Sequence, residues 1–383
     1  MMNSRRRVVI VGAGIAGFTA AKTLAEMENG TEIVLVNNED RPPYKRTKVS
    51  KNVAAGFTRD DYALAAPDWY GSSGVQLADG RQVTSIDAAA HTLTLDSGAD
   101  LEWDAILLAT GSTAAVPPSQ MDRAAGGAHV VRTAADVDRL RRALAHAGSV
   151  LVVGGGVLGV ELAEQMRLAG ARVTLSIRGS RLMPRELDER ASDHLSALLA
   201  ANGVRLSSSP AEGRFDATVY CIGSHADVRI AQESGVAVRH GVLVDRYLQT
   251  NVAGIFAAGD AAEHADGTMT HLWHAAEYQG ALAARNISAL LSGAADRMKP
   301  FDNPAFRLKC EVFGHYYFSV GRLSEDENGS RIEAPDGDRY RSYGFNGDRL
   351  MSVVMIDDPD RARQYQTAVR EGWSRARVEE EFA

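Results

Sequence analysis

The 383-residue sequence contains only two cysteines, Cys221 and Cys310, which lie far apart and in no paired motif. This scarcity excludes a disulfide-stapled secreted scaffold and a zinc ribbon, and it fits a reducing compartment. The formal net charge of −7 provides no basic field that would recruit nucleic acid. No stretch reaches the roughly 20 apolar residues that a membrane span needs. The composition therefore favours a globular protein without nucleic-acid or membrane partners.

The N-terminal region superficially resembles a signal peptide, since three arginines at positions 5–7 precede an apolar run at 8–11. Glycines at 12, 14 and 17 interrupt that run, and no small-residue cleavage site follows at the right distance. We therefore expect a cytoplasmic protein.

Two segments share one pattern: a continuous apolar strand, a glycine-rich turn, a helix and a second β-rich stretch. The first covers residues 7–36 and the second covers residues 150–177. Continuous apolar strands are typical of a buried parallel sheet. The sequence therefore predicts two βαβ units in an α/β fold.

Both turns carry the G-x-G-x-x-G spacing. The first glycine allows the tight turn, the second lets the backbone approach a pyrophosphate, and the third lets helix and strand pack closely. The helix N-terminus then offers N–H groups and a positive dipole end to the phosphates. The pattern predicts two dinucleotide sites, with purely structural glycines as the alternative, and the glycines concerned are Gly12, Gly14 and Gly17, then Gly154, Gly156 and Gly159.

An acidic residue that binds the ribose is expected about 20 residues beyond each fingerprint. Glu39 is the candidate in the first unit, with Asn37 as the substitute and a solvated loop acid as the alternative. The second unit has no acid there and instead carries Arg178 and Arg181. Because guanidinium pairs bidentately with phosphate, these arginines favour NADPH over NADH, although both can also be surface charges.

Two further stretches make a resemblance specific. Residues 105–111 end in Ala109-Thr110-Gly111, and residues 250–260 end in Gly259-Asp260. With the two fingerprints in this order, the chain resembles the two-dinucleotide-binding flavoproteins of the glutathione-reductase-like fold. The resemblance implies a split FAD domain (1–113 and 251–298), an inserted NAD(P)-binding domain (114–250) and a small C-terminal α+β domain (299–383).

The resemblance also implies which residues bind the cofactors. Asp260 would accept a hydrogen bond from the FAD ribitol, and Trp273 would flank the flavin edge, although a tryptophan at a helix start can equally be core. The residues expected at the FAD are Gly12, Gly14, Ala16, Gly17, Asn37, Glu39, Arg46, Lys51, Val83, Ala109, Thr110, Gly111, Asp260 and Trp273. Those expected at NAD(P)H are Gly154, Gly156, Gly159, Arg178 and Arg181.

The segment 41–51 indicates the branch of the family. It contains no cysteine, so the thiol relay of the disulfide reductases is absent. It is similar to the Y-x-R-P-x-L-S-K stretch of ferredoxin and rubredoxin reductases and of the nitrite reductase flavoprotein. Its matching residues are Tyr44, Arg46, Ser50 and Lys51, whereas Thr47 and Val49 depart from the pattern.

In that branch the lysine lies near flavin N5 and pairs with a glutamate two residues after the second fingerprint, which is Glu161 here. A fixed cation there stabilises the reduced flavin, and the carboxylate keeps the cation in place. The alternative is a surface lysine and a helix N-terminal glutamate stabilised by the helix dipole. His271 and His274 could suggest a metal, but no third ligand is visible, and we expect no metal site.

The resemblance implies an FAD-dependent oxidoreductase that takes hydride from NAD(P)H and passes electrons to a small redox protein of the rubredoxin or ferredoxin type. Two alternatives remain open at this point. One is direct reduction of a small acceptor such as a quinone, oxygen or a metal complex. The other is a flavin-binding redox sensor without turnover.

Overall fold

In this computed structural model, the structure describes residues 6–56, 58–118, 128–145, 147–208, 214–302, 305–323, 329–336 and 339–382. The strands in these ranges are β1 (Arg7–Val11), β2 (Glu32–Asn37), β3 (Val75–Asp79), β4 (Val83–Asp87), β5 (Thr92–Leu95), β6 (Asp100–Glu102), β7 (Ala105–Leu108), β8 (Ser112–Ala114), β9 (Ala128–His129), β10 (Ser149–Val153), β11 (Arg172–Ser176), β12 (Val204–Ser207), β13 (Ala217–Tyr220), β14 (Ser224–Ala226), β15 (Val242–Val244), β16 (Ile255–Ala257), β17 (Ala262–His264), β18 (Arg307–Val312), β19 (His315–Gly321), β20 (Gly329–Asp336), β21 (Arg339–Asn346) and β22 (Arg349–Ile356). The helices are α1 (Ile15–Glu26), α2 (Pro67–Ser72), α3 (Ala134–Leu144), α4 (Val157–Leu168), α5 (Glu189–Ala201), α6 (Arg229–Glu233), α7 (Trp273–Leu291), α8 (Ala362–Glu371) and α9 (Arg375–Phe382).

The chain divides into two compact units. The first contains Met1–Lys48, Phe57–Thr113 and Ser224–Asp302, and the second contains Val49–Gly56, Ala114–Gly223 and Asn303–Ala383. Residues 224–250, which the sequence assigns to the NAD(P)-binding domain, lie in the first unit, and the C-terminal residues share the second unit with that domain. The three-domain division stays a prediction.

The first unit is built on a parallel sheet with the order β16-β7-β1-β2-β3. Its central strands are buried on both faces, which explains their unbroken apolar sequences. Helix α1 packs on α7 so closely that only glycine fits at position 280 of α7. A Cβ on Gly280 would lie 2.1 Å from the carbonyl oxygen of Ala16. An antiparallel sheet, β4-β5-β6, completes this unit together with the pairs β14-β8 and β15-β17.

The second unit contains another parallel sheet, with the order β12-β11-β10-β13-β9. In both parallel sheets the strand before the glycine turn lies at the centre, where the strand order reverses. Open α/β sheets bind their ligands at this crevice beyond the strands' carboxyl ends. Cys221 follows β13 directly, since that strand ends at Tyr220.

The C-terminal part of the second unit is an antiparallel sheet with the order β18-β19-β22-β21-β20. Helices α8 and α9 cover it through an aromatic core in which Tyr343 and Phe382 stack with ring centroids 5.7 Å apart. This confirms the predicted α+β C-terminal part.

Candidate functional site

The glycines of the first turn, Gly12, Gly14 and Gly17, differ in how closely other atoms approach them. Gly12 has φ +107°, and a Cβ on it would lie 2.3 Å from the carbonyl oxygen of Ala109. A Cβ on Gly17 would lie 1.9 Å from the carbonyl oxygen of Gly12. These two glycines therefore serve the turn and the packing. Gly14 has an ordinary φ of −66°, and the nearest atom to its Cβ position is Nε of Arg46 at 3.9 Å.

The second turn repeats this arrangement. Gly154 has φ +118°, and its Cβ position lies 2.3 Å from the carbonyl oxygen of Cys221. The Cβ position of Gly159 lies 1.8 Å from the carbonyl oxygen of Gly154. Gly156 has an ordinary φ of −79° and no atom within 4 Å of its Cβ position. In both turns, therefore, only the middle glycine faces open space.

Helices α1 and α4 begin at these middle glycines. Gly14 and Gly156 are the N-caps, and neither helix has a capping side chain or an acidic residue in its first turn. The first N–H groups thus lack side-chain acceptors at the positive end of the helix dipole. Open space over a glycine, free N–H groups and absent carboxylates together fit the pyrophosphate of a dinucleotide.

A hydrogen-bonded network follows β2 in the first unit. The carboxylate of Glu39 pairs with Nη2 of Arg46 at 2.5 Å and accepts a hydrogen bond from the Tyr44 hydroxyl at 2.9 Å. Burial lowers the pKa of Arg46, but Tyr44, Glu39 and Asp260 outweigh it and leave that pKa raised. Arg46 therefore stays charged beside the open face of Gly14.

The substitute ribose ligand, Asn37, is already engaged. Its amide donates to the carbonyl oxygen of Arg41 at 2.7 Å and to Oδ1 of Asp79 at 2.6 Å, and its oxygen accepts from the N–H of Glu39 at 3.3 Å. Asn37 is 4% exposed, and these bonds connect the loop after β2 to the end of β3. Of the two candidates, Glu39 keeps more free acceptor capacity for a ribose.

The predicted ligands from the later strands meet at the carboxyl edge of the first sheet. The hydroxyl of Ser112 donates to Oδ2 of Asp260 at 3.0 Å, and the hydroxyl of Thr110 donates to the carbonyl oxygen of Asp227 at 2.7 Å. Gly111 has φ +74° next to Ala109, whose carbonyl contacts Gly12. Val83 begins β4 and is buried.

Trp273 is the first residue of α7. Its Nε1 is buried and has no hydrogen-bond partner among the described residues. A buried donor without an acceptor is costly, so a bound acceptor at this place would relieve it. This observation fits the predicted cofactor contact better than a core position, where the indole nitrogen normally finds a protein partner.

The predicted pair Lys51–Glu161 is present in the second unit. Nζ of Lys51 lies 3.5 Å from Oε1 of Glu161, with 33% of the lysine side chain and 8% of the glutamate side chain exposed. The hydroxyl of Ser50 donates to the other carboxylate oxygen at 2.5 Å. Burial raises the pKa of Glu161 above its ordinary value, although Ser50 and Lys51 oppose the rise. A mostly buried carboxylate thus holds a partly exposed cation in place.

Sequence reasoning missed three residues beside this pair. Glu164 lies one helical turn beyond Glu161, and Oε1 of Glu164 accepts the N–H of Phe313 at 2.5 Å. Cys310 on β18 is fully buried, and burial, followed by the charge of Glu161, raises its pKa well above the ordinary range. In the sequence, the i, i+3 spacing of Glu161 and Glu164 was the one indication that Glu164 lies beside the pair. Nothing in the sequence indicated the positions of Phe313 and Cys310.

The arginines expected at the 2′-phosphate follow β11. Arg178 is exposed two residues beyond the end of that strand. Arg181 lines a cavity of about 680 Å³ in the second unit, together with Arg185, Arg322 and Arg331. The carboxylates of Asp188 and Glu189 also line this cavity, and Asp188 accepts a hydrogen bond from Arg331 at 2.8 Å.

The described residues contain neither a redox-active cysteine pair nor a cluster of side chains that could bind a metal ion. Cys221 and Cys310 are free and buried, and burial raises the pKa of Cys221 to about 12. No group of His, Cys, Asp and Glu side chains in the described ranges could hold a metal ion, and Nδ1 of His274 lies 3.5 Å from the Glu277 carboxylate. In the same ranges, every helix is too short or too polar to cross a membrane.

Two parallel sheets, each with a glycine turn shaped for a pyrophosphate, define the class of proteins that bind two dinucleotides. The family described as pyridine nucleotide-disulphide oxidoreductase matches residues 6–210 and 207–280. The chain belongs to this family.

Several proteins similar in sequence to this chain are named as components of electron-transfer systems. The ferredoxin reductase component of chlorobenzene dioxygenase from Cupriavidus sp. (strain PS12) is 34% identical over 277 residues, which cover 67% of this chain and 67% of that protein. Rhodocoxin reductase from Rhodococcus erythropolis is 29% identical over 380 residues, or 92% of this chain and 86% of its own length.

Among solved structures, the covalent putidaredoxin reductase–putidaredoxin complex matches with a TM-score of 0.84 and 24% identity, covering 97% of this chain and 94% of that one. At this identity the match supports the fold alone. Together the comparisons confirm the predicted family and branch, the α/β fold and an FAD-containing pyridine nucleotide oxidoreductase.

Proposed function

We propose that this protein transfers electrons from NAD(P)H, through FAD, to a small iron–sulfur protein of the ferredoxin or rubredoxin type. The observation that supports this best is the Lys51–Glu161 pair, at 3.5 Å, contributed by a segment that has no cysteine. Without a thiol relay, electrons must leave from the flavin itself. The names of the relatives, which are reductases of ferredoxin and rhodocoxin, agree with a protein acceptor.

The residues divide the work as follows. The open faces of Gly14 and Gly156, with the uncapped starts of α1 and α4, would hold the pyrophosphates of FAD and NAD(P)H. The chemistry that bound FAD would supply there is acceptance of a hydride from the nicotinamide and release of single electrons to the acceptor. Glu39 would bind the FAD ribose, and Asp260 would accept a hydrogen bond from the ribitol.

Lys51 supplies a fixed positive charge, which favours the arrival of negative charge on the flavin. Glu161 keeps that charge in place, and Ser50 keeps Glu161 in place. We also propose the cytoplasm as the compartment, because the two thiols are free.

An anaerobic titration followed by a carrier assay tests the proposal. NAD(P)H should bleach the oxidised-flavin absorption of the purified protein, and cytochrome c reduction should rise at least about tenfold when a ferredoxin or rubredoxin is added. Equal turnover with a quinone or oxygen and no carrier would replace the protein acceptor by a small one. Flavin that neither nucleotide bleaches would remove the reductase and favour a redox sensor.

We further propose that NADPH is the preferred donor. In its support, Arg178 and Arg181 follow β11 where an NADH-binding chain would carry an acid, and three more arginines line the cavity beside Arg181. The double variant R178A/R181A should raise the KM for NADPH about tenfold or more, since hydrogen bonds to charged groups contribute roughly 1.5–3 kcal/mol.

The same variant should leave the KM for NADH within about twofold, because NADH lacks the 2′-phosphate. Arg142→Ala, which removes an exposed arginine of α3, is the matched control and should change neither value. Wild-type protein that accepts NADH alone would refute the preference while leaving the reductase intact.

A further inference from the structure

The catalytic pair of the proposed function is enclosed by three chain segments that are distant in sequence. Ser50 and Lys51 come from the segment Val49–Gly56, Glu161 and Glu164 come from α4, and Cys310 comes from β18. Helix α4 packs against both the Ser50–Asn52 turn and β18. The C-terminal sheet therefore supplies one wall of the environment in which Glu161 is buried.

A tight hairpin connects β18 to β19. Val312 pairs with His315, which leaves Phe313 and Gly314 as a two-residue loop with φ values of +46° and +80°. Positive φ at both positions is the type I′ geometry, and it is unfavourable for phenylalanine. The N–H of the first loop residue has no acceptor within such a hairpin and needs one elsewhere.

Glu164 is that acceptor, since its Oε1 lies 2.5 Å from the Phe313 nitrogen. This contact fastens the hairpin tip to α4, one turn beyond Glu161. Three residues behind the tip, Cys310 is fully buried and close enough to feel the charges of Glu161, Lys51 and Glu164. The hairpin tip is thus bonded to the same helix that carries Glu161, and β18 packs against that helix.

We propose that Glu164 is a positioning residue that holds the β18–β19 hairpin against α4 and thereby fixes the Lys51–Glu161 pair. The proposal rests on the function proposed above for that pair. Its consequence is that the C-terminal sheet sets the pH range of flavin reduction.

The groups that face the pair determine the sign of this effect. Burial is the largest cause of the raised pKa of Glu161, and the charge of Glu164 adds to it, whereas Ser50 and Lys51 act in the opposite direction. From β18, Cys310 lies within electrostatic reach of Glu161, Lys309 within reach of Lys51, and Glu311 within reach of Glu164. Opening the hairpin would hydrate Glu161 and lower its pKa.

Two variants separate the contact from the charge. E164A removes both, whereas E164Q removes the charge and keeps an oxygen that can accept the N–H of Phe313. Glu380→Ala, at an exposed glutamate of α9, is the matched control.

The first readout is alkylation of the two thiols of the holoenzyme by iodoacetamide, mapped by peptide mass spectrometry. E164A should label Cys310 about tenfold faster or more, because loss of a hydrogen bond to a charged group raises the open population by that factor. Cys221, which is buried directly after β13 in the same unit, is the internal reference and should keep its rate. E164Q, which keeps a neutral acceptor, should label Cys310 more slowly than E164A does, and Glu380→Ala should label it as the wild type does.

The second readout is the pH profile of flavin reduction by NAD(P)H. E164A should move its acid limb to lower pH, and E164Q should move it less. Wild-type labelling of Cys310 in E164A, equal acceleration at both cysteines, or an unmoved limb despite faster Cys310 labelling would each overturn the proposal. If E161Q itself leaves flavin reduction unchanged, the proposed function of the pair fails, and the labelling still decides whether Glu164 holds the hairpin.

Discussion

Replacing Lys51 with glutamine is expected to slow the reduction of bound flavin by NAD(P)H about a hundredfold, a typical effect of removing one preorganised electrostatic group. The reason is that Glu161 and Ser50 hold the Lys51 charge in one place before the hydride arrives. Stopped-flow spectroscopy of a single anaerobic turnover measures this step without any acceptor. Lys45→Gln makes the same charge change at an exposed position of the neighbouring loop and should leave the rate within about twofold.

The pH dependence of the same step identifies the role of Glu161. Its pKa is raised above the ordinary 4.5, chiefly by burial, so the carboxylate becomes neutral as the pH falls through that raised value. Lys51 then loses its partner, and the rate should fall on the acid side with a midpoint above 4.5. E161Q should be slow at neutral pH and should lack this acid limb. An E161Q variant with the wild-type profile would show that another group titrates.

The main architecture could be predicted from local sequence because its causes are local. Strand β1 is buried on both faces, and β10 is buried on one face and half-buried on the other, so nearly every residue in them is apolar. The glycines at 12 and 154 adopt positive φ, which few other residues tolerate, and they therefore mark the turns in the sequence. Strand, turn and helix are contiguous, so spacing alone places the two turns correctly.

The parts that sequence reasoning missed depend on contacts between distant segments. Ser50 and Glu161 are 111 residues apart, and Glu164 and Phe313 are 149 residues apart. No periodicity predicts that β18 lies against α4, and a lone buried cysteine such as Cys310 resembles any core residue. The Lys51–Glu161 pair was predicted only because the family resemblance supplied the missing long-range information.

The network around Glu39 illustrates the same limit at shorter range. Its spacing after the first fingerprint predicted a ribose ligand, but the spacing carried no sign that Arg46 pairs with it at 2.5 Å. That pair also explains how Arg46, despite the neighbouring departures at Thr47 and Val49, is directed towards the open face of Gly14. Side-chain partnerships within a loop depend on its fold, which composition does not determine.

Substituting alanine within the glycine turns should separate folding from cofactor binding. Gly17→Ala would place a Cβ 1.9 Å from the carbonyl oxygen of Gly12, and Gly159→Ala would place one 1.8 Å from that of Gly154. Backbone atoms cannot yield as a flexible side chain can, so each variant should lose about 3 kcal/mol or more of stability. Thermal unfolding followed by circular dichroism measures that loss.

Alanine at the middle glycines should act differently, because both have ordinary φ values of −66° and −79° and open Cβ positions. Gly14→Ala and Gly156→Ala should keep the stability of the apoprotein within about 0.5 kcal/mol. If the open faces hold pyrophosphates, Gly14→Ala should weaken FAD binding about tenfold or more, by a contact that only the ligand feels. Gly156→Ala should retain its flavin and instead raise the KM for NAD(P)H by a similar factor.

The four variants allow two comparisons. The position of the glycine within its turn determines whether stability or cofactor binding is affected. The turn in which it lies determines which of the two cofactors is affected. Overpacking acts on the chain whether or not a cofactor is present, whereas a methyl group in open space acts only on whatever enters that space. Flavin loss in Gly156→Ala with unaltered flavin in Gly14→Ala would exchange the two assignments. Unfolding of the middle-glycine variants to the same extent as Gly17→Ala would mean that these faces are packing surfaces and hold no phosphate.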